Sequence, residues 1–312
     1  MKIIKHDTIL KLGLDPLECY EWVGQVIENK DKMMLPAKMS LKPRKGVFYN
    51  VMPSILPGEG IAGVKIVNRY PNRAPSLDSQ IMLYDLSTGM PRALLDGNYI
   101  TAMRTGAVAA HSIKLFAAVG FSVLGFIGLG NTARAALKVL LRLYPEKDFT
   151  IRLLKYKEQS AAFQKEFSDY PGLTFVECET APEVIEGCDV IVSAATYFDG
   201  DICEDRYFKK GCLLVPIHTR GFTNCDLFFD KVYADDTAHV SGFGYFNRFK
   251  QFAEVSDVVN GRAPGREHDG ERILVYNIGI SVHDIYFAGK IEKMAEACEE
   301  ISLEPPAEKF WV

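Results

Sequence analysis

The sequence predicts an α/β protein in which a Rossmann-type, doubly wound parallel sheet is joined to a second, discontinuous α+β domain. From residue 119 onward, strands that are apolar on both faces alternate with helices, which is typical of a parallel sheet covered on both sides. Before that point, short strands broken by proline and glycine precede one long helix. The length of 312 residues is sufficient for two domains.

The N-terminal elements are marked by turn residues. Apolar runs in residues 46–67 alternate with proline and glycine, which indicates short strands with tight connections. Another strand is predicted at residues 80–84, because the turn sequence 85–89 follows it directly. Small and apolar residues then predict a long helix from residue 98 to residue 118. We expect these elements to form a domain over residues 1–118.

The later elements alternate between strand and helix. Strands are predicted at residues 123–127, 149–154, 189–193 and 212–216, and helices at residues 131–143 and 159–167. Alternation of this kind builds a parallel sheet, so the Rossmann domain is assigned to residues 119–281. The helix that begins near residue 282 is expected to return to the first domain, which makes residues 282–312 its C-terminal completion.

Composition excludes several classes of protein. Lys and Arg number 36 against 40 Asp and Glu, a net charge of −4 that offers no basic field for nucleic acid. No apolar run reaches the roughly 20 residues that span a membrane, and none at the N-terminus resembles a signal peptide. Seven cysteines without a C-x-x-C pair argue against disulfides, and neither they nor the six histidines have metal-ligand spacing. We expect a cytoplasmic protein without a metal site.

The sequence Gly128-Leu-Gly-Asn-Thr-Ala133 follows an apolar strand and opens a helix. In that setting the G-x-G-x-x-A pattern is a dinucleotide-binding fingerprint. Gly128 permits a tight turn, Gly130 lets the backbone approach a pyrophosphate, and Ala133 lets the helix pack closely on the strand. Asn131 and Thr132 begin the helix, whose N-terminal N–H groups favour phosphate. We therefore predict a nicotinamide dinucleotide as the cofactor.

The end of the second Rossmann strand favours NADP over NAD. An acidic residue is expected there if the ribose 2′-hydroxyl of NAD is bound. The chain instead has Lys155 and Lys157, which are suited to neutralise the 2′-phosphate of NADP. The alternative is that both lysines are solvated loop residues. NADP is the predicted cofactor, and NAD stays open.

Several motifs occur in a fixed order over most of the chain. They are Arg44 shortly before Asn50-Val-Met-Pro53, Gly63-Val-Lys65, Tyr70-Pro-Asn72, the block from Thr88 to Thr105, the glycine loop, Asp189 to Thr196, and Gly279 to Asp284. The block from Thr88 to Thr105 is the most distinctive of these motifs, because many of its positions match at fixed spacing. In this order the motifs resemble those of the ornithine cyclodeaminase and mu-crystallin family.

The resemblance implies a homodimer built from the N-terminal domain and a Rossmann domain that binds NAD or NADP, with Thr196 among the cofactor contacts. It also implies that basic residues hold the substrate carboxylate, and the matching residues are Arg44, Lys65 and Arg104. A lysine within an apolar strand supports this role, because it requires an anionic partner. The alternatives are a solvated basic loop for Arg44 and a salt bridge within its own helix for Arg104.

Two positions depart from the ornithine cyclodeaminases. Those enzymes have a glutamate just before Met-Pro, where this chain has Asn50 followed by Val51. Their catalytic aspartate aligns with Arg220 through the anchor Cys225-Asp-Leu, so the general base is missing. A cation at this place repels the side-chain ammonium of ornithine and suits a substrate with a second acidic group. Asn50 and Arg220 are therefore predicted to contact the substrate.

The leading hypothesis is an NAD(P)H-dependent oxidoreductase that acts on an imino or amino acid, of the ketimine reductase or amino acid dehydrogenase type. The cofactor delivers hydride, while the protein supplies orientation and charge. Candidate proton donors are His218, Lys65 and Asp284. A structural role is the alternative for His218, and Asp284 is expected either to contact the cofactor or to cap the final helix.

Two alternative functions use the same fold. One is a redox-neutral cyclodeaminase of ornithine or another diamino acid, with bound NAD. The other is an NADPH-dependent small-ligand-binding protein of the mu-crystallin type. The aromatic run at residues 242–249 offers apolar surface for such a ligand, although aromatic clusters usually belong to the core.

Overall fold

The computed structural model describes residues 1–195, 202–217, 222, 224–302 and 308. Two compact units divide the chain. The first combines Met1–Leu14, Asp31–Thr101 and the C-terminal segment from Ser281, and the second combines Asp15–Lys30 with Ala102–Ile280. Each unit is built around one sheet.

The first unit contains a seven-stranded sheet, with strands numbered along the whole chain. They are β1 (Lys2–Ile4), β2 (Met39–Arg44), β3 (Val47–Leu56), β4 (Ile61–Arg69), β5 (Leu77–Asp85), β6 (Pro91–Asp96) and β15 (Glu299–Glu300), in the order β15-β1-β6-β5-β4-β3-β2. Strands β2 to β6 form an antiparallel meander, and β1 pairs with β6 in parallel. The helices of this unit include α1 (His6–Lys11) and α9 (Ser281–Met294).

Helix α9 covers one face of this sheet. Alternate residues of β4 are buried from Ile61 to Val67, as expected for a strand with one covered face. A Cβ atom at Gly63 would lie 2.6 Å from Cδ1 of Ile285, and one at Gly289 would lie 2.7 Å from Cδ1 of Ile61. Glycine at both positions therefore allows the helix to approach the strand closely.

The second unit contains an eight-stranded sheet in which neighbouring strands are parallel. Its strands are β7 (Val123–Ile127), β8 (Phe149–Leu154), β9 (Leu173–Cys178), β10 (Val190–Ser193), β11 (Leu213–Pro216), β12 (Lys231–Ala234), β13 (Phe252–Glu254) and β14 (Ile273–Tyr276), in the order β13-β12-β14-β11-β10-β7-β8-β9. All four residues of β10, β11, β12 and β14 are buried, because helices cover both faces of a sheet of this kind. The predicted doubly wound parallel sheet is confirmed.

The helices of the second unit lie between and before its strands. They are α2 (Pro16–Glu28), α3 (Asn98–Phe116, in this unit from Ala102), α4 (Asn131–Leu143), α5 (Gln159–Glu166), α6 (Ala181–Ile185), α7 (Thr237–Val240) and α8 (Val255–Val259). Within the described ranges, no helix has the length and apolar character that crossing a membrane requires.

The compact units differ from the predicted domains because α2 and most of α3 belong to the second unit. Helix α3 lies very close to α4, since a Cβ atom at Gly106 would lie 2.5 Å from Cβ of Ala135. Asp15, the N-cap of α2, forms an ion pair of 2.8 Å with Arg142 of α4. Both helices therefore contact α4 within the second unit, whereas the sequence analysis places them in the N-terminal domain.

The strand order of the second unit reverses beside β7. The chain passes from β7 to β8 and β9 on one side, and it then places β10 on the other side of β7. In open parallel sheets, ligands bind outside the carboxyl ends of the strands where the order reverses. The glycine loop that follows β7 lies at this edge.

Candidate functional site

The glycine loop connects β7 to α4. Gly128 has a φ of +89°, and a Cβ atom there would lie 2.7 Å from the backbone N of Ala195. Gly130 is the N-cap of α4, and no neighbouring atom of the described chain lies within 4 Å of the place that its Cβ would take. The backbone therefore requires glycine at position 128, whereas Gly130 borders open space.

The helix that follows Gly130 begins next to this open space. Asn131 and Thr132 begin α4, and Ala133 behind them is fully buried. The first turn of α4 contains no acidic residue, so the free N–H groups and the positive end of the helix dipole are available to an anion. The five predicted loop residues thus lie between the end of β7 and the first turn of α4, and their contacts with a dinucleotide stay predictions.

The two lysines predicted to select NADP follow β8 on the surface. Lys155 donates a hydrogen bond of 2.7 Å from Nζ to Oε1 of Glu179, which raises the pKa of the lysine. Lys157 has a φ of +51°, and its Nζ lies 5.2 Å from the ring centroid of Tyr156. A 2′-phosphate at this place would compete with Glu179 for Lys155.

A buried ion pair lies within the first unit. Lys65 on β4 donates a hydrogen bond of 2.8 Å from Nζ to Oδ1 of Asp284 on α9. The side chains are 1% and 0% exposed, respectively. The expectation that Lys65 needs an anionic partner is therefore met by Asp284. The roles expected of Asp284, namely a proton donor, a cofactor contact or a helix cap, do not include this ion pair.

Asn50 lies on the same face of the sheet as Lys65. It pairs with Val67, and Met52, two residues along β3, pairs with Lys65. Since alternate residues share a face, Asn50 and Lys65 are diagonal neighbours at about 7 Å. Asn50 is only 8% exposed, and its Oδ1 has no hydrogen-bond partner in the described part of the chain.

Arg44 is positioned differently from Lys65. It is an exposed residue at the end of β2, opposite Val47 in the hairpin with β3. Met52, the neighbour of Lys65, lies five residues further along β3, or about 16 Å at the rise of a strand. The backbone of the first unit therefore does not place Arg44 beside Lys65.

Arg104 lies on the part of α3 that belongs to the second unit. It is 5% exposed, and a Cβ atom at Gly279 would lie 3.0 Å from its Nη1. The N–H of Gly279 donates to Oδ2 of Asp235 at 2.6 Å, at the carboxyl end of β12. Sequence reasoning did not single out Asp235, although an acidic pair directly after an apolar strand, Asp235-Asp236, is a usable signal.

Three predicted site residues lie outside the described residues. They are Thr196, His218 and Arg220. Their assigned contacts, with cofactor for the first and with substrate or a transferred proton for the others, stay predictions.

A comparison with known families places these features in context. The sequence profile of the ornithine cyclodeaminase/mu-crystallin family matches residues 16–299. The chain belongs to this family. The predicted family and the predicted class, an NAD(P)-dependent oxidoreductase of this family, are confirmed.

Two relatives in the family align with most of the chain. The nodulation efficiency protein NfeD of Rhizobium meliloti is 29% identical over 280 residues, which cover 84% of each chain. The N-((2S)-2-amino-2-carboxyethyl)-L-glutamate dehydrogenase of Staphylococcus aureus is 26% identical over 266 residues, which cover 78% of each chain.

Two solved structures share the fold over nearly the whole chain. Thermococcus litoralis Δ1-pyrroline-2-carboxylate reductase, in complex with NADH and L-proline, has a TM-score of 0.83 at 23% identity and covers 95% of this chain and 97% of its own. An archaeal alanine dehydrogenase dimer with bound NAD has a TM-score of 0.85 at 23% identity and covers 97% of this chain and 99% of its own.

Proposed function

We propose that this chain reduces an imino acid to an amino acid with NAD(P)H, as a ketimine reductase or amino acid dehydrogenase does. The observation that carries the proposal is the buried pair of Lys65 and Asp284. A buried ion pair contributes little net stability compared with apolar side chains of similar size, so its presence favours a functional role. The names of the staphylococcal and Thermococcus relatives support a reaction at an amino or imino carbon.

The nicotinamide cofactor, when bound, supplies the hydride for this reaction. The glycine loop would hold its pyrophosphate through the first turn of α4. Lys65 holds a proton at Nζ, which Asp284 stabilises through the hydrogen bond of 2.8 Å. We assign to Lys65 the transfer of this proton to the imine nitrogen, with His218 as a second candidate donor.

The substrate carboxylate is proposed to lie on Arg44, Lys65 and Arg104, and for Arg44 this requires its long side chain to extend along the sheet towards Lys65, because their strand positions are about 16 Å apart. Because Asp284 already balances the charge of Lys65, the two arginines would supply most of the attraction, as planar bidentate donors. Arg220 is proposed to bind a second acidic group. The staphylococcal relative supports this extension, since the substrate in its name is a derivative of glutamate.

NADP is the proposed cofactor form. Its support is the absence of an acidic residue at the end of β8 and the presence of Lys155 and Lys157 there. The neighbouring structures contain NAD or NADH, so a comparison of KM for NADPH and NADH decides the matter.

A homodimer is proposed to form through the sheet face opposite α9. A groove of about 710 Å³ lies on this face, and its lining is mostly apolar and includes Met34, Pro36, Ile55 and Val64. On the adjoining strand β2, Leu41 is 58% exposed. Apolar surface of this kind is typical of an interface, and the archaeal alanine dehydrogenase is a dimer. Sedimentation of the wild type and of Leu41→Lys would test it, with a monomeric wild type as the contrary result.

The reduction is tested by recording NADPH and NADH absorbance with imines formed from 2-oxo acids and amines. Steady oxidation of the cofactor with one imine supports the proposal and defines the substrate class. Formation of proline and ammonia from ornithine without net cofactor change would instead establish a cyclodeaminase. Tight binding of an aromatic ligand without turnover of any imine would establish a binding protein.

A further inference from the structure

Asn50 presents a buried carbonyl that lacks a donor. Its Oδ1 is inaccessible to solvent and has no hydrogen-bond partner within the described ranges, although the residue lies beside Lys65 on the inner face of β3. Buried carbonyl groups are nearly always paired in folded proteins, because leaving one unpaired costs its full desolvation. An unpaired acceptor beside a candidate proton donor therefore points to a ligand that brings a donor.

The course of α9 distinguishes Asn50 from its neighbours. The helix starts at Ser281, whose Oγ donates to the carbonyl of Pro53, and its later residues lie over Gly63 and then Ile61. Residue numbers on β4 therefore fall as the helix proceeds. Asn50 lies opposite Val67, two residues after Lys65 on β4. It therefore lies beyond the N-terminal end of the helix.

We propose that Oδ1 of Asn50 accepts a hydrogen bond from the N–H of the protonated imine, and so selects imino acids over 2-oxo acids. This inference rests on the proposed reduction. In that reaction the protonated imine, R₂C=NHR′⁺, takes a hydride at carbon from NAD(P)H and becomes the amine R₂CH–NHR′, while the cofactor becomes NAD(P)⁺. The N–H bond that Asn50 would hold forms when Lys65 transfers its proton to the imine nitrogen, and it stays intact during the hydride transfer.

A neutral acceptor suits the charges that surround it. Lys65 and Asp284 already form an ion pair, and the amide of Asn50 adds no further charge beside it. A 2-oxo acid presents a carbonyl oxygen at the same place, and two acceptors without a hydrogen between them repel each other. The substrate class that Asn50 favours is therefore one with a donor at the reacting heteroatom.

Two planar probes of nearly equal shape test this assignment. Pyrrole-2-carboxylate carries an N–H donor beside its carboxylate, whereas furan-2-carboxylate carries an oxygen acceptor there. Their affinities are measured by titration calorimetry on the full chain saturated with NADP⁺ or NAD⁺. We expect wild type to bind pyrrole-2-carboxylate at least about tenfold more tightly, the worth of one hydrogen bond.

Variants of Asn50 test whether this residue causes the preference for pyrrole-2-carboxylate. Asn50→Ala is expected to reduce the ratio of affinities to about one, and Asn50→Asp, which keeps an acceptor, to retain or increase it. Ser54→Ala is the matched control, because Ser54 is also buried on this face with an unpartnered Oγ, but pairs with Gly63 beneath Ile285. Its ratio is expected to equal that of wild type.

The results that would overturn the role of Asn50 differ from the results that would overturn the proposed imine reduction. Equal affinities in wild type, or no binding of either probe, would overturn the role of Asn50 even if imines are reduced. An Asn50-dependent preference for pyrrole-2-carboxylate would uphold it even if no imine in the panel oxidises NAD(P)H, in which case the proposed reduction fails alone.

Discussion

The two units place their polar groups in different ways. In the second unit, the candidate phosphate site is formed by the backbone of six consecutive residues, which run from the end of β7 into the first turn of α4. In the first unit, Lys65 and Asp284 meet across 219 positions of sequence, through a strand and a helix. A site made of local backbone is visible in the sequence, while a site made by tertiary packing becomes visible only in the fold.

The largest effect is expected from replacing Lys65. Lys65→Met leaves Asp284 buried without its cation and should lower the free energy of unfolding by about 3 to 5 kcal/mol. Lys231→Met is the matched control, because Lys231 is also buried and pairs with Glu267 and Glu271 in the second unit. Both variants should lose stability in urea titrations at low temperature.

The effect on kcat is expected to differ between the variants of Lys65 and Lys231. With folded protein at low temperature, Lys65→Met should lower kcat by about a hundredfold or more, as expected for loss of a proton donor, while Lys231→Met stays near wild type. Equal losses of kcat in both variants would mean that Lys65 has only a structural role.

The glycine loop offers a second contrast of large effect. Gly128→Ala introduces a Cβ at 2.7 Å from the backbone of Ala195, at a φ of +89°, and should destabilise the chain by about 1 to 3 kcal/mol. Gly130→Ala places its Cβ in open space and should leave the melting temperature unchanged, yet weaken cofactor binding about tenfold or more by occupying the phosphate space. Calorimetry and fluorescence titration with NADPH measure the two effects. Unchanged cofactor affinity in Gly130→Ala would contradict the phosphate assignment.

The second unit also carries a pH-dependent term in its stability. Burial lowers the pKa of His111, stacked on Tyr20, from 6.5 to about 4. A His whose folded pKa is depressed resists protonation, so stability is lost as the pH falls from about 6.5 towards 4, by about 3 kcal/mol in total. Asp226, whose pKa burial raises to about 6, acts in the opposite direction. Urea titrations of wild type and His111→Phe between pH 7 and 4.5 measure the contribution of His111 to the free energy of unfolding. If that free energy changes with pH in the same way in both proteins, the assignment to His111 is refuted.

The smallest effect is expected at the cofactor's ribose. Lys155→Ala should raise KM for NADPH several-fold, about the worth of one exposed ion pair, and leave KM for NADH unchanged. Lys165→Ala, on the last turn of α5, is the control. A rise in both KM values, or in neither, would remove the assignment of Lys155 to the 2′-phosphate.

The sequence predicts the Rossmann sheet well because its signals are local. Each strand is a short apolar run, and the order of strand, glycine loop and helix is fixed by adjacent residues. The boundary between the units is less visible, because Gly106 and Asp15 place α3 and α2 against α4 through contacts between distant segments.

The candidate site is only partly visible in the sequence. A lysine in an apolar strand signals an anionic partner, but nothing near Lys65 in sequence identifies Asp284 as that partner. The face that Asn50 presents depends on the register between β3 and β4, which is set by pairing along the whole hairpin. Residue type therefore predicts that a partner exists, and only packing identifies it.

The most direct test of the proposed function follows the hydride itself. Wild-type protein is incubated with an imine from the panel and with NADPH or NADH that carries deuterium on the transferred position of the nicotinamide, and the amino acid product is analysed by mass spectrometry. Incorporation of one deuterium at the α-carbon is the expected result. An amino acid product without deuterium, or no amino acid product from any imine, would contradict the assignment of this chain as an imino acid reductase.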